Sequence, residues 1–206
     1  MKKGFLLMFA MVLGIAVMAN SPKLEIGDKA VNTDYKMTDI SGKQYSIADV
    51  KGENGVLVMF SSNTCPFVIK WEGRYIETKK WADQHKVGMI VLNSNCANRN
   101  GVDSMEEMKK HAADKGYNFP YVVDAGSKIA NSFVGQTTPH AFLFDKDMKL
   151  VYKGAIDDNH ESASAIKKHY LKDAISAIAS GKKVEIAETK PVGCSIKRAQ
   201  ANLTSN

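Results

Sequence analysis

Cys65 stands between a polar turn, Ser61-Ser62-Asn63-Thr64, and Pro66, which opens a long helical pattern. The apolar run Val56–Phe60 before the turn reads as a buried strand. A sulfur at a helix start lies beside unpaired N–H groups. Those donors and the helix dipole favour thiolate over thiol, and the thiolate is the reactive form. Pro66 suits the first helical position, where its missing N–H costs nothing. Such a thiolate can attack a peroxide oxygen, giving a sulfenic acid, or a disulfide sulfur, giving a mixed disulfide. An inert buried thiol is the competing reading of any cysteine, and the helix-start position argues against it.

Other residues could serve that sulfur. Ser62, three positions before it, either donates a hydrogen bond to the sulfur or to a bound peroxide, or caps the turn. Arg99 follows the second predicted parallel strand, and loops at the carboxyl ends of parallel strands border the active crevice. It could stabilise a thiolate or an oxyanion, or sit solvated. Arg74 lies more than two helical turns beyond Cys65 and is too remote. His140 could act as a base or simply pack.

Cys96 and Cys194 compete as the resolving cysteine. Cys96 belongs to the same edge of the sheet as Cys65, and Cys194 lies in a tail that can approach and leave. A disulfide needs Cα atoms within about 7 Å. If neither comes that close, the partner is an external thiol or a second subunit. There is no Cys-x-x-Cys, and the five histidines do not pair with cysteines at zinc-ligand spacing, so neither metal nor cofactor is expected. Asp157-Asp158-Asn159-His160-Glu161 lacks calcium-loop spacing and reads as helix capping.

The elements that must position these groups follow from periodicity. Tyr35–Ile40 and Lys43–Ile47 alternate around Ser41-Gly42, predicting a hairpin, with Ser46 capping a brief turn through Val50. Val56–Phe60 is a strand. Pro66–His85 is one helix, with Phe67, Trp71, Tyr75, Thr78 and Ala82 on its inner side. Val87–Leu92 is a second buried strand. Asp103 starts a helix, with Glu106 as its capping-box partner and Gly116 as its stop. Tyr121–Val123 is a strand, and Ser127–Phe133 a short helix. Ala141–Phe144 and Leu150–Lys153 are strands joined by a tight turn, hence antiparallel. Ala163–Ala179 is a final helix stopped by Gly181. Residues 182–206 form a polar tail around Pro191, Gly193 and Cys194, lying on the domain or extending from it. Strands alternating with helices imply an α/β fold, mainly parallel and covered on both faces.

This order resembles the thioredoxin-like fold, and the motifs resemble its redoxin branch, the alkyl hydroperoxide reductase/thiol-specific antioxidant group. The resemblance covers roughly residues 24 to 198. It rests on Thr38-Asp39-Ile40-Ser41-Gly42-Lys43, Asn63-Thr64-Cys65-Pro66-Phe67-Val68, Asn93-Ser94-Asn95, Asn118-Phe119-Pro120-Tyr121, Thr137-Thr138-Pro139 with Phe142-Leu143-Phe144-Asp145, Tyr152-Lys153-Gly154 with Ile156-Asp157-Asp158, and Gly193-Cys194-Ser195-Ile196-Lys197. It implies a central mixed sheet with helices on both faces and an N-terminal β-hairpin. It also implies a cis Pro139 facing Cys65, with Thr138 offering backbone groups to an extended substrate. The chain departs from the group twice. Many members carry a second cysteine where Ser62 stands, and peroxiredoxins carry a proline where Val58 stands.

Bulk properties set the class. The 206 residues suit one domain, residues 20–181. Lys2 and Lys3, the apolar Phe5–Val17 and the small Ala19 compose a signal peptide over residues 1–19, cleaved near Ala19. Its apolar run is short for a bilayer span, so the mature form has no membrane span and is periplasmic or secreted. Cleavage would lower the formal charge from +6 to +4. The lysines are scattered, which excludes a nucleic-acid patch. Three functions follow, in this order. The first is an exported, peroxiredoxin-like thiol oxidoreductase acting on peroxide or protein thiols, with an external thiol reductant. The second is a cell-envelope disulfide reductase or isomerase. The third is a non-catalytic binding module.

Overall fold

The computed structural model describes residues 24–199. The expected signal peptide, residues 1–19, lies outside them.

The hairpin forms from β1 (Met37–Asp39) and β2 (Gln44–Tyr45). Ser46 and Asp49 then make a reciprocal capping box on α1 (Ile47–Val50). β3 (Gly55–Ser61) is buried along its whole length, as a strand covered on both faces must be. After it come α2 (Pro66–Trp71), α3 (Tyr75–Gln84), β4 (Val87–Asn93), α4 (Met105–Asp114), β5 (Tyr121–Val123) and α5 (Lys128–Ser132). β6 (Thr137–Thr138), β7 (His140–Asp145), β8 (Leu150–Gly154), α6 (Tyr170–Ala179) and β9 (Cys194–Ser195) complete the chain.

Seven strands form one mixed sheet in the order β2-β1-β5-β4-β3-β7-β8. β3, β4 and β5 are parallel neighbours, whereas β7 and β8 run antiparallel beside β3. Side chains alternate across this sheet and split the core in two. Leu57, Met59, Val91, Tyr121 and Leu143 pack under Trp71, Tyr75, Met108 and Ile175 on one face. Val56, Val58, Phe60, Phe142 and Phe144 pack against Ile47, Ile129 and Phe133 on the other. This is the thioredoxin-like arrangement, and it sets the carboxyl ends of β3 and β4 side by side.

Three expected elements differ. The helix expected over Pro66–His85 is broken by a 3-10 turn at Glu72–Arg74. Gly73 is a weak helix former. Its neighbours are also drawn into tertiary polar contacts: the buried Glu72 carboxylate with His111 at 2.9 Å and the exposed Lys115 at 2.6 Å, and Arg74 with Asp157 at 2.7 Å. The helix expected from Asp103 is capped instead by Ser104, whose hydroxyl accepts the Glu107 N–H. The helix expected from Ala163 begins at Tyr170. The Lys167 N–H is held by the Asp158 carboxylate and the Lys168 carbonyl accepts the Asp158 N–H, so Ile166 stays extended.

Candidate active site

Cys65 is the N-cap of α2, with Pro66 at the first helical position. The Ser62 hydroxyl oxygen accepts the Cys65 N–H at 3.2 Å and so closes the turn. Across the site the Thr138–Pro139 peptide is cis, and the Thr138 carbonyl oxygen lies 3.0 Å from the Cys65 sulfur. A third segment meets this pair. β9 adds antiparallel to β6, with Cys194 opposite Thr138 and Ser195 opposite Thr137. That register places the Cys194 sulfur 2.7 Å from that of Cys65.

The sequence matches the AhpC/TSA family over residues 26–153, well over half of the chain. The chain belongs to this family. A curated relative, thiol-disulfide oxidoreductase ResA of Bacillus thuringiensis, is 29% identical over 133 residues, 65% of this chain and 71% of the relative. Among solved structures, an uncharacterised conserved protein from Geobacillus kaustophilus superposes with a TM-score of 0.80 at 29% identity, covering 86% of this chain and 94% of that one. A hypothetical protein from Sinorhizobium meliloti gives 0.78 at 27% identity, over 86% and 97% of the two chains.

Within this AhpC/TSA site the two sulfurs are electrostatically unlike. Burial pushes the Cys65 thiol up. The Cys194 thiol, the N–H groups of Val68 and Cys194, and the Thr138 side chain push it down further, so the net direction is downward. For Cys194, burial and then the hydrogen bond and charge of Cys65 push the thiol up to about 11. Of the two sulfurs Cys65 is thus the more readily deprotonated, and the Cys194 thiol is the neighbour that favours that loss. Cys65 is only 5% exposed: it belongs to the core cluster on the Trp71 face, and the tail strand lies against its sulfur from the other side. A cleft of about 150 Å³ still opens beside it, lined by Thr64, Pro66, Asn98, Ser195 and Lys197.

Arg99 is directed elsewhere. Its guanidinium donates to the Asn93 carbonyl at 2.7 Å and to the Asp103 carbonyl, and none of its hydrogen bonds reaches Cys65. It ties the end of β4 to the start of α4. Cys96 faces Ser127, whose hydroxyl lies 3.1 Å from its sulfur, and the Ala199 N–H at 2.9 Å. His140 is buried against Phe142, and its Nδ1 accepts the Gln136 N–H at 3.3 Å. Burial, helped by the charge of Lys153, lowers its pKa to about 3, so the ring is neutral at physiological pH. Asp157 does not cap a helix. It receives Trp71 Nε1 and Arg74, which secure the helical layer behind Cys65. Among the described residues, no group of His, Cys, Asp and Glu is disposed to hold a metal ion, and no helix is long and apolar enough to cross a membrane.

One residue that positions the site escapes sequence reasoning. Asp103 is fully buried, and its carboxylate accepts the Asn63 N–H at 3.1 Å, Asn93 Nδ2 at 2.7 Å and Asn95 Nδ2 at 3.0 Å. It thereby joins the turn before Cys65 to Asn95, which in turn accepts the Lys197 N–H of the tail at 2.8 Å. The density of Asn and Asp after β4 is the available signal, but spacing alone reads Asp103 as a cap.

Proposed function

We propose that the chain is an exported thiol–disulfide oxidoreductase in which Cys65 attacks and Cys194 resolves. The observation that carries this reading is the strand register that sets the two sulfurs 2.7 Å apart beside the cis Thr138–Pro139 bond. The name of the Bacillus thuringiensis relative supports the same class of reaction.

The Cys65 thiolate attacks one sulfur of a substrate disulfide. A Cys65–substrate bond forms, the substrate S–S bond breaks, and the other substrate sulfur leaves as a thiolate that takes a proton. Cys65 is then neutral. The hydrogen bond and charge that had held Cys194 protonated are gone, so Cys194 loses its proton more easily. Its thiolate attacks Cys65, forms the Cys65–Cys194 disulfide and expels the remaining substrate thiolate. Two electrons have passed from the cysteine pair to the substrate, and two equivalents of an external thiol, leaving as its disulfide, restore the pair.

Peroxide is the weaker substrate. A peroxide-cleaving thiolate benefits from a charged donor for the departing oxygen, yet Arg99 is committed to Asn93 and Asp103, which leaves only neutral hydroxyls such as that of Ser62 near the sulfur. Val58 is wholly buried within β3 and lines no pocket at Cys65. Export rests on the basic and apolar first 19 residues. Insulin reduction with dithiothreitol, run beside consumption of hydrogen peroxide, tests the reaction. Insulin reduction that depends on Cys65 is expected, and peroxide consumption alone would overturn the proposal. Fractionation and intact mass of the expressed chain test cleavage near Ala19.

A further inference from the structure

Residues 189–199 form a strap across the site. Thr189 anchors one end, its N–H on the Lys153 carbonyl at 3.0 Å and its hydroxyl oxygen accepting the Ala155 N–H at 2.9 Å. Past Cys194, the Ile196 N–H meets the Gln136 carbonyl at 3.0 Å, and the Ile196 side chain is buried in the core on the α5 face. The Lys197 carbonyl accepts the Ala97 N–H at 2.9 Å. Between these anchors the strap is an added strand on the edge of β6. Strand addition is also how a partner polypeptide would use that edge, with backbone pairing for affinity and side-chain sites for selection.

Resting on the thiol–disulfide reading above, we propose that the strap is a tethered stand-in for the substrate. It closes the edge of β6 to polypeptides until it is released, and its own sequence states what the edge selects. Two features define that selection. A Cβ on Gly193 would lie 2.3 Å from the Thr138 carbonyl oxygen and 3.2 Å from the Pro139 nitrogen. The residue before the incoming cysteine must therefore be glycine. The buried Ile196 asks for an apolar residue two positions after the cysteine. The substrate class is an extended polypeptide disulfide of the form Gly-Cys-x-apolar. Small disulfides need no free strand edge and reach Cys65 through the cleft beside it.

Gly193 also supplies the means of release, because a side chain there pushes the strap from the cis-proline loop. The test uses the full chain carrying Cys96→Ser and Cys194→Ser, which leaves Cys65 as its one cysteine. Gly193→Ala is added in one variant and Ile196→Ala in a second, so that each end of the strap is loosened independently. The probes are the peptide of residues 190–197, its cysteine activated as a mixed disulfide with thionitrobenzoate, and the small symmetrical disulfide of thionitrobenzoate. The ratio of peptide rate to small-disulfide rate is expected to rise about tenfold on loosening, because the competent open state becomes populated. In the loosened variants, peptides carrying Gly193→Leu or Ile196→Asp should react about tenfold more slowly than the parent peptide. An unchanged ratio in both variants overturns the stand-in, and equal rates for the three peptides overturn the selection rule. If Cys65 attacks neither peptide nor small disulfide in any variant, the thiol–disulfide reading itself falls, and this inference falls with it.

Discussion

Cys65 and Cys96 make a natural pair for comparison. Each follows the carboxyl end of a parallel strand, β3 for one and β4 for the other, and the same strap crosses both. At Cys65 the strap delivers a second sulfur, and local N–H groups lower the thiol pKa. At Cys96 it delivers the Ala199 amide, with Ser127 on the other side. Position at the end of a strand therefore does not by itself set the surroundings of a cysteine in this fold. The difference lies in what a distant segment carries to the sulfur.

Substitution should separate the two most sharply. Cys65→Ser is expected to reduce disulfide turnover by more than about a thousandfold, whereas Cys96→Ser should stay within about twofold, both read by insulin reduction. In the same assay Cys194→Ser should lower multiple turnover about a hundredfold while Cys65 is still captured as a mixed disulfide, visible by intact mass. Loss of turnover in Cys96→Ser with none in Cys194→Ser would reverse the comparison.

Alkylation gives a finer contrast. With iodoacetamide at neutral pH, Cys65 should react about tenfold faster than Cys96, because the hydrogen bonds to its sulfur lower its pKa. Its rate should fall as pH drops through the lowered pKa. Cys194→Ala should move that inflection to higher pH, since the chief hydrogen bond lowering the Cys65 pKa is lost. Peptide mapping across a pH series checks both. The smallest effect belongs to Ser127→Ala, which frees one side of the Cys96 sulfur. Cys96 alkylation should quicken by no more than about threefold, the scale of one modest hydrogen bond, with the rate at Cys65 unmoved.

The sheet was legible in the sequence because its strands are buried on both faces and its turns carry their own signals. β3 reads as five apolar residues in a row, and the Asp145-Lys146-Asp147 turn forces β7 and β8 antiparallel. The placement of Cys65 at a helix start was legible for the same local reason. What failed was non-local. The break at Glu72–Arg74 depends on His111, Lys115 and Asp157, residues far along the chain that periodicity cannot see. Asp103 looked like a cap because its true partners, Asn63, Asn93 and Asn95, converge only in three dimensions. The tail carried no periodic signal at all, since β9 is two residues long and owes its conformation to β6. Sequence left Cys194 and Cys96 in competition, and only the pairing with Thr138 brings one of them to Cys65.

Thr189 is pinned to β8 while Cys194, five positions on, must face Thr138. A strand turns its side chains to alternate sides, so an extra residue that moved Gly193 opposite Thr138 in the β6–β9 pairing would swing the Cys194 sulfur to the other side. The distance from anchor to cysteine therefore has a phase as well as a length. An insertion that would pass unnoticed in an ordinary surface tail would here carry the Cys194 sulfur away from that of Cys65.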